Sequence, residues 1–214
     1  MAKDYIQINK EVYDALATEY SFRRDNIGPY SESTEFLGNA LLKYAPKKRP
    51  LQVLEIGPGA GQILRFFEDN NCRTIGVELS AEMSKICRIQ SPDSVVLTGN
   101  ILDVNFSNEQ FDLIYIGAVI HLFPLQHARV LLKNIWKWTK TGGHIFINTT
   151  CHEQSSEGYS EKKDYSSGIR FRRYWKEADF QNEVVQSGFS IVEKLYTDEK
   201  DRGKLWVAII GKKE

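Results

Sequence analysis

From residue 51 onward, short apolar runs alternate with segments of helical periodicity. The apolar runs predict five strands, at 51–56, 74–78, 95–98, 113–116 and 144–148. Helices are predicted near 61–70, 81–90, 125–138 and 176–186. The helix over 125–138 has the clearest apolar stripe, formed by Leu125, Ala128, Leu131, Leu132 and Ile135. Strands that alternate with helices are typical of a parallel sheet wrapped by helices, so we expect an α/β fold.

The two ends of the chain follow a different pattern. Before residue 51, helices are predicted around 9–20 and 33–44. After residue 186, the strand-like runs 189–197 and 205–210 are joined by a short polar segment with no room for a crossover helix. They are therefore expected to pair antiparallel as a hairpin. Segment 151–168, rich in Ser, Glu and Lys, is predicted to be the longest loop.

Composition and charge narrow the range of partners. The 214 residues include 28 Lys or Arg and 28 Asp or Glu, a balance that disfavours nucleic acid or an anionic membrane surface as partner. Three widely spaced cysteines favour a reducing, cytoplasmic setting over a disulfide framework. Residues 1–10 are polar and charged where a signal peptide would be apolar. We therefore expect a soluble protein, monomer or homodimer, that acts on a small molecule.

A glycine-rich turn after the first strand is the strongest functional signal. The apolar run 53–56 leads into Gly57, Gly59 and Gly61 before the next helix. Glycine tolerates positive φ and lets a ligand approach the backbone without a Cβ in the way. Glu78, at the end of the second strand, is expected to accept hydrogen bonds from both hydroxyls of a ribose. The combination predicts a nucleoside cofactor, with a purely structural turn as the alternative.

Two classes of cofactor fit such a turn. A dinucleotide site usually carries Gly-x-Gly-x-x-Gly, and its helix N-terminus binds a pyrophosphate. Here the spacing is Gly-x-Gly-x-Gly, and Glu55 lies two residues before the first glycine. A carboxylate there would repel a pyrophosphate and attract the methionyl ammonium group of S-adenosylmethionine. The charge pattern therefore favours S-adenosylmethionine over NAD.

Several segments together resemble the class I S-adenosylmethionine-dependent methyltransferases. Residues 53–61 are similar to motif I of that family and residues 76–83 to its second motif, in which the acid holds the ribose. Residues 98–103 and 111–122 resemble the third and fourth motifs of small-molecule members, and 142–147 resemble the fifth strand. The resemblance extends from about residue 13 to the C-terminus. It implies a Rossmann-like doubly wound seven-stranded sheet, mostly parallel with an antiparallel C-terminal hairpin, and helices on both faces.

The resemblance also implies a binding site for S-adenosylmethionine and for its product S-adenosylhomocysteine. The expected residues are Glu55, Gly57, Pro58, Gly59, Gly61, Gln62, Glu78, Leu79, Met83, Asn100, Ile101, Leu102, Ile116 and Gly117. The family usually has Asp at the position of Asn100, where the side chain accepts from the adenine amino group. An amide can still accept through its carbonyl oxygen. Ile101 and Leu102 are expected to flank the adenine ring.

On the acceptor side, the chemistry requires alignment of the acceptor and exclusion of water. His121, just beyond the fourth strand, is the candidate general base, with a packing or capping role as the alternative. Tyr20 is a candidate for positioning the acceptor. The expected substrate residues are Tyr13, Tyr20, Arg24, His121, Tyr165, Arg170, Arg172 and Tyr174. The basic residues among them are either solvated or recognise a carboxylate or phosphate of the acceptor.

The predicted function is methyl transfer from S-adenosylmethionine to an oxygen, nitrogen or sulfur of a small-molecule acceptor. The alternatives are a protein that binds the cofactor without transferring the methyl group and an NAD-dependent oxidoreductase. A nucleic-acid methyltransferase is disfavoured because residues 116–119 lack the Asn/Asp-Pro-Pro-aromatic motif that such proteins carry. No metal is expected, since the adjacent residues Cys151, His152 and Glu153 point apart in a strand or turn.

We expect one domain over residues 1–214. Residues 1–50 would form an N-terminal helical lid and residues 51–150 the cofactor-binding core. Residues 151–175 would form an insertion in the substrate region, followed by the last helix and the hairpin over 176–214.

Overall fold

The computed structural model describes residues 4–27, 29–161 and 168–214, without the side chains of 21–27 and 201. The helices are α1 (Tyr5–Ile27), α2 (Glu32–Leu42), α3 (Gln62–Asp69), α4 (Ala81–Gln90), α5 (Leu125–Trp138) and α6 (Glu177–Gln186). The strands are β1 (Leu51–Ile56), β2 (Cys72–Glu78), β3 (Val95–Thr98), β4 (Phe111–Ile116), β5 (Thr139–Thr150), β6 (Ser156–Glu161), β7 (Ile169–Tyr174), β8 (Phe189–Glu199) and β9 (Lys204–Lys213). Short 3₁₀ helices lie at Ile101–Asp103, Ile120–Leu122 and Lys200–Arg202.

Seven of these strands form one sheet, in the order β3-β2-β1-β4-β5-β9-β8. The strands from β3 to β5 in this order run parallel, and β9 runs antiparallel to both β5 and β8. The predicted α/β class, the seven-stranded sheet and the C-terminal hairpin are therefore confirmed. The strand order reverses between β1 and β4, and folds of this kind bind ligands at the carboxyl ends of the strands beside such a reversal.

Helices cover both faces of the sheet because successive residues of a strand point to opposite sides. On one face, Leu54 of β1 belongs to a core that includes Leu131 of α5 and residues of α6. On the other face, Val53 belongs to a core that includes Phe67 of α3 and residues of α2. Glu55 follows Val53 at a spacing of two and so shares its face of β1.

The N-terminal helix is longer than the predicted 9–20. Its start is set by Asp4, whose Oδ1 accepts a hydrogen bond from the backbone N–H of Gln7 at 2.8 Å. Helix α2 has Ser31 as its N-cap, with Oγ accepting from Thr34 N at 3.2 Å, and it ends at Leu42 where the pattern predicted residue 44. In the described part of the chain, no helix has both the length and the apolar composition that a membrane span needs.

A second, two-stranded sheet lies in the segment between β5 and α6. β6 pairs antiparallel with β7, and Tyr159 lies opposite Phe171. The prediction of a loop over 151–168 is therefore wrong for 156–161. The sequence of β6 is Ser-Glu-Gly-Tyr-Ser-Glu, which has no apolar alternation, because most of this strand is exposed. Its pairing with β7 and the packing of β7 on α1 determine its structure instead.

Candidate cofactor and acceptor site

A cavity of about 600 Å³ opens at the carboxyl ends of the parallel strands. The turns after β1, β2 and β4 line it, together with side chains of α1 and α2. β7 and the β8–β9 hairpin contribute further walls. The volume lies within the range of small-molecule sites, and the walls come from segments that are far apart in the sequence.

The turn after β1 brings bare backbone to this cavity. Gly57 and Gly59 have φ values of 69° and 54°. A Cβ at Gly57 would lie 2.5 Å from Cγ2 of Val119, whereas a Cβ at Gly59 would meet no atom within 4 Å. The space beside Gly59 is therefore open to a ligand. Gly61 has another role, because a Cβ there would lie 3.1 Å from Sγ of Cys87 in α4.

Glu78 ends β2 and is oriented by two backbone amides. Its Oε2 accepts from Gly59 N and its Oε1 from Ser80 N, both at 2.9 Å. Burial raises the pKa of this carboxyl above its ordinary value. Each carboxylate oxygen can accept more than one hydrogen bond, so both oxygens keep capacity for a pair of ligand hydroxyls.

Glu55 is buried with one oxygen unsatisfied. The residue is 4% exposed, and its Oε2 has no hydrogen-bond partner among the described residues. Burial, and then the neighbouring charge of Glu78, raise the pKa of the Glu55 carboxyl well above its ordinary value. A cation bound in the cavity would satisfy this oxygen and offset the repulsion between the two carboxylates. The unsatisfied oxygen and the open space at Gly59 therefore fit a nucleoside that carries an ammonium group.

Asn100 caps the 3₁₀ helix that follows β3. Its Oδ1 accepts from Leu102 N at 3.1 Å, and its Nδ2 lies 3.3 Å from Oδ2 of Asp103. These two bonds orient the amide while Oδ1 keeps a second lone pair. Of the two residues expected to flank adenine, Ile101 lies on the cavity wall, whereas Leu102 lies outside the cavity and packs against the main core.

His121 lies in the 3₁₀ helix after β4 and is buried on the cavity wall. Its ring is edge-on to that of Trp206 in β9, with 6.1 Å between the centroids. Asn148, at the end of β5, accepts from Ala118 N at 2.6 Å, and Ala118 has a φ of 58°. This hydrogen bond holds the turn that leads from β4 into the His121 segment.

The arginines of β7 point to opposite sides of the strand. Arg170 and Arg172 line the cavity, and Arg173 does not. Nη1 of Arg170 donates to the Tyr13 hydroxyl at 3.3 Å, and Nη2 of Arg172 donates to Oγ1 of Thr150 at 2.8 Å. The basic cluster seen in the sequence is therefore divided by strand alternation into two cavity residues and one outside the cavity.

Most of the predicted site residues lie on the cavity wall. These are Tyr13, Tyr20, Glu55, Gly57, Pro58, Gly59, Gln62, Glu78, Leu79, Met83, Asn100, Ile101, Gly117, His121, Arg170 and Arg172. Four predicted residues are not on the cavity wall: Gly61, Leu102, Ile116 and Tyr174. Ile116 belongs to the core, and Tyr174 packs edge-on against His152. The side chain of Arg24 and all of Tyr165 lie outside the described residues.

Sequence reasoning missed the contribution of the C-terminal hairpin. Its residues on the cavity wall are Leu195, Thr197, Glu199, Arg202, Lys204, Trp206 and Ala208. The basic and aromatic residues around the predicted polar turn were a signal, but it pointed to no site. Only the antiparallel pairing of β9 with β5, which places Trp206 beside Thr150, brings this turn to the carboxyl edge of the sheet.

The remaining histidines lie off the cavity wall. Nδ1 of His127 is 2.7 Å from the Tyr5 hydroxyl, and His144 stacks on Tyr44 with 5.3 Å between the centroids. Nε2 of His152 is 3.0 Å from Oγ1 of Thr150. Within the described ranges, no group of three His, Cys, Asp or Glu residues could hold a metal ion.

The region around the glycine turn is similar to known methyltransferase domains. Residues 54–147 match the family described as "Methyltransferase domain". A malonyl-[acyl-carrier protein] O-methyltransferase of Enterobacter lignolyticus is 26% identical over 144 residues, which cover 67% of this chain and 56% of that protein. A phosphoethanolamine N-methyltransferase of Plasmodium falciparum is 27% identical over 128 residues, which cover 58% and 47%. The chain thus spans about half the length of these curated relatives.

The fold is similar to that of a solved methyltransferase along its whole length. The 1,6-didemethyltoxoflavin-N1-methyltransferase of Burkholderia thailandensis, solved with 1,6-didemethyltoxoflavin and S-adenosylhomocysteine, aligns with a TM-score of 0.77 at 13% identity. The alignment covers 100% of this chain and 92% of that one.

The protein is thus an α/β protein with a glycine turn and two buried carboxyl groups at the carboxyl ends of its parallel strands. More specifically, residues 54–147 match the methyltransferase domain family, and the fold is similar to that of a solved methyltransferase that binds S-adenosylhomocysteine. The resemblance seen in the sequence motifs is confirmed.

Proposed function

We propose that the protein transfers a methyl group from S-adenosylmethionine to an oxygen, nitrogen or sulfur atom of a small-molecule acceptor. One observation carries the proposal: the buried carboxyl groups of Glu55 and Glu78 lie beside a glycine turn that is open to the cavity at Gly59. This arrangement suits a ligand with both an ammonium group and a ribose. The similarity to named methyltransferases supports the same assignment.

In this proposal Glu78 and Glu55 bind different parts of the cofactor. Glu78 accepts from the two ribose hydroxyls with the capacity that Gly59 and Ser80 leave free. Glu55 binds the methionyl ammonium group through its unsatisfied Oε2. Asn100 accepts from the adenine amino group beside Ile101. When bound, S-adenosylmethionine supplies a methyl group activated by a positively charged sulfur.

His121 and Tyr20 then act on the acceptor. His121 removes a proton where the acceptor atom is protonated at neutral pH, a task that requires a base within hydrogen-bonding reach of the reacting atom. Tyr20 positions the acceptor from α1. The surrounding wall, which includes Trp206, excludes water from the reacting atoms.

Calorimetric titration with S-adenosylmethionine, S-adenosylhomocysteine and NADH tests the cofactor. We expect the two sulfur nucleosides to bind and NADH not to bind. Glu78→Ala should lose this binding, and Glu78→Gln, which preserves the side-chain shape, should weaken it. Glu82→Ala, an exposed position on α4, is the control and should bind like the wild type. Binding of NADH alone would overturn the proposal.

Transfer itself is tested separately, by measuring S-adenosylhomocysteine production with a panel of amine, hydroxyl, thiol and carboxylate acceptors. We expect production that depends on the acceptor and that falls in His121→Ala for hydroxyl or ammonium acceptors. Tight cofactor binding without any transfer across the panel would favour a protein that binds the cofactor for another purpose.

A further inference from the structure

The cavity has a cationic wall that the cofactor residues do not account for. Arg170 and Arg172 lie on the cavity face of β7. Arg172 reaches Thr150 at the end of β5, and β5 is two positions from β1 in the sheet. At about 4.8 Å between neighbouring strands, β5 lies roughly 10 Å from β1, the strand that carries Glu55. Positive and negative side chains therefore line different parts of one cavity.

Arg170 is buried, and no carboxylate among the described residues pairs with it. It is 6% exposed, and its guanidinium donates to the neutral hydroxyl of Tyr13 at 3.3 Å. Burial raises the pKa of that hydroxyl, which keeps it uncharged at neutral pH. In the described part of the chain, no Asp or Glu forms an ion pair with Arg170. A buried guanidinium costs free energy unless an anion compensates its charge.

Arg173, on the same strand, shows how a buried arginine is usually compensated. It is 8% exposed, and it pairs with Glu157 at 2.7 Å while its guanidinium lies 4.2 Å from the Trp175 ring. The chain thus supplies a carboxylate to the buried arginine that faces away from the cavity. Arg170 faces the cavity, so an anion that compensates its charge would bind in the cavity.

The spacing of Arg170 and Arg172 suits a shared ligand. Residues two apart on a strand lie roughly 6.6 Å apart on the same face, and both guanidinium groups can converge on one group between them. Guanidinium groups bind planar carboxylates and phosphates through paired N–H donors. On the hairpin, Arg202 lies 3.7 Å from Glu199, so this pair adds little net charge to the wall.

We propose that Arg170 and Arg172 form an oxyanion subsite that binds a carboxylate or phosphate group of the acceptor. The inference rests on the proposed methyl transfer, and it defines the acceptor as a small anion. The anionic group of the acceptor is held on β7. The methyl group is transferred either to an oxygen of this group or to another atom of the acceptor.

Binding of small anions to the protein saturated with S-adenosylhomocysteine tests this subsite. The probes are malonate and methyl phosphate, with malonamide and trimethyl phosphate as neutral counterparts, titrated by calorimetry at constant pH and ionic strength. We expect at least one anion to bind with one-to-one stoichiometry and its neutral counterpart not to bind. The anion that binds identifies the subsite as one for carboxylate or for phosphate.

The variants Arg170→Gln and Arg172→Gln should each weaken anion binding by tenfold or more. Arg173→Gln removes an arginine about as buried as Arg170 from the same strand and should change anion binding by less than about twofold. Arg170→Lys keeps the charge without the planar donors and should give an intermediate loss. Melting curves and S-adenosylhomocysteine binding report whether each variant is folded; if Arg170→Gln is not, Arg170→Lys and Arg172→Gln decide.

Three outcomes would overturn the inference. Neither anion binds to the loaded wild type; or the anion binds equally well to the glutamine variants, which indicates an adventitious site; or Arg170→Gln weakens S-adenosylhomocysteine but not methylthioadenosine. The last result would assign Arg170 to the carboxylate of the nucleoside, because methylthioadenosine lacks the amino-acid group. Failure of the proposed function would differ from all three, since the wild type would then either not bind S-adenosylhomocysteine or bind it and transfer no methyl group to any acceptor of the panel.

Discussion

At Glu55, the requirements of stability and of binding oppose each other. The pKa of this carboxyl is higher in the folded than in the unfolded chain. At pH values between these two pKa values, the folded protein therefore binds more protons than the unfolded chain. The free energy of unfolding therefore falls as the pH rises above the ordinary value of 4.5. The side chain that would attract the ammonium group of the cofactor thus destabilises the free protein at neutral pH.

Glu55→Gln should accordingly raise the free energy of unfolding at pH 8, with a smaller gain at pH 5. Urea unfolding at the two pH values measures the effect, with the exposed Glu82→Gln as control. The same variant should weaken S-adenosylhomocysteine binding roughly 10- to 100-fold, because a hydrogen bond to a charged group is lost. A variant no more stable than the wild type at pH 8 would show that burial of Glu55 carries no cost.

Gly57 and Gly59 differ in what an added methyl group would meet. Gly59→Ala should cost about 1–2 kcal/mol of stability, since a non-glycine residue is placed at positive φ. Its Cβ would also occupy the open space, so S-adenosylhomocysteine binding should fall. Gly57→Ala adds the contact with Val119 and should destabilise the fold further. Urea unfolding and calorimetry separate the two effects, and unchanged binding by Gly59→Ala would exclude a ligand at that turn.

At the scale of elements, one buried side chain fastens α1 to the acceptor wall. Oδ1 of Asn9 accepts from Phe171 N in β7 at 2.9 Å. Nδ2 donates to the carbonyl of Leu122 at 3.2 Å, in the 3₁₀ helix that carries His121. Asn9 is 2% exposed, so water cannot replace its side chain as the hydrogen-bond partner of these two backbone groups. Three elements of the acceptor side thus depend on one amide.

Asn9→Ala should lower the free energy of unfolding by about 1–3 kcal/mol for each backbone group left without a partner. Gln7→Ala, at an exposed position of the same helix, is the matched control and should stay close to the wild type. Denaturant unfolding of both variants measures the difference. Equal stability of the two would mean that α1 is held mainly by its apolar contacts.

Elements were predictable where the apolar pattern was regular. β1, β3, α4 and α5 were predicted at the residues where the structure has them. β6 has no such pattern and depends on its pairing with β7, a contact that local periodicity does not record. The early start of α1 depends on the cap at Asp4, outside the apolar stripe used for the prediction. These two errors fall where one pairing or one cap, and not the apolar pattern, determines the structure.

For the whole molecule, the two sides of the cavity differ in how far the sequence predicts them. The residues proposed for the cofactor follow successive strands, so that Gly57, Glu78 and Asn100 form motifs with short spacings. The acceptor wall is assembled by long-range pairing, and it combines β7 with the hairpin through the contact of β9 with β5. Trp206 meets His121 across 85 residues of sequence, for which no local signal exists.

Because residues from α1 to β9 line one cavity, a ligand there should stabilise the fold as a whole. At a concentration of 100 times its Kd, S-adenosylhomocysteine should add about 2.7 kcal/mol, or roughly 5–11 °C in the melting midpoint for a chain of this length. Methylthioadenosine leaves Glu55 unpaired and should stabilise less at the same concentration. In Glu55→Gln this difference between the ligands should shrink. Equal shifts by both ligands in the wild type would contradict the pairing of Glu55 with the ammonium group. Methylthioadenosine lacks that group, so it cannot satisfy Oε2 of Glu55.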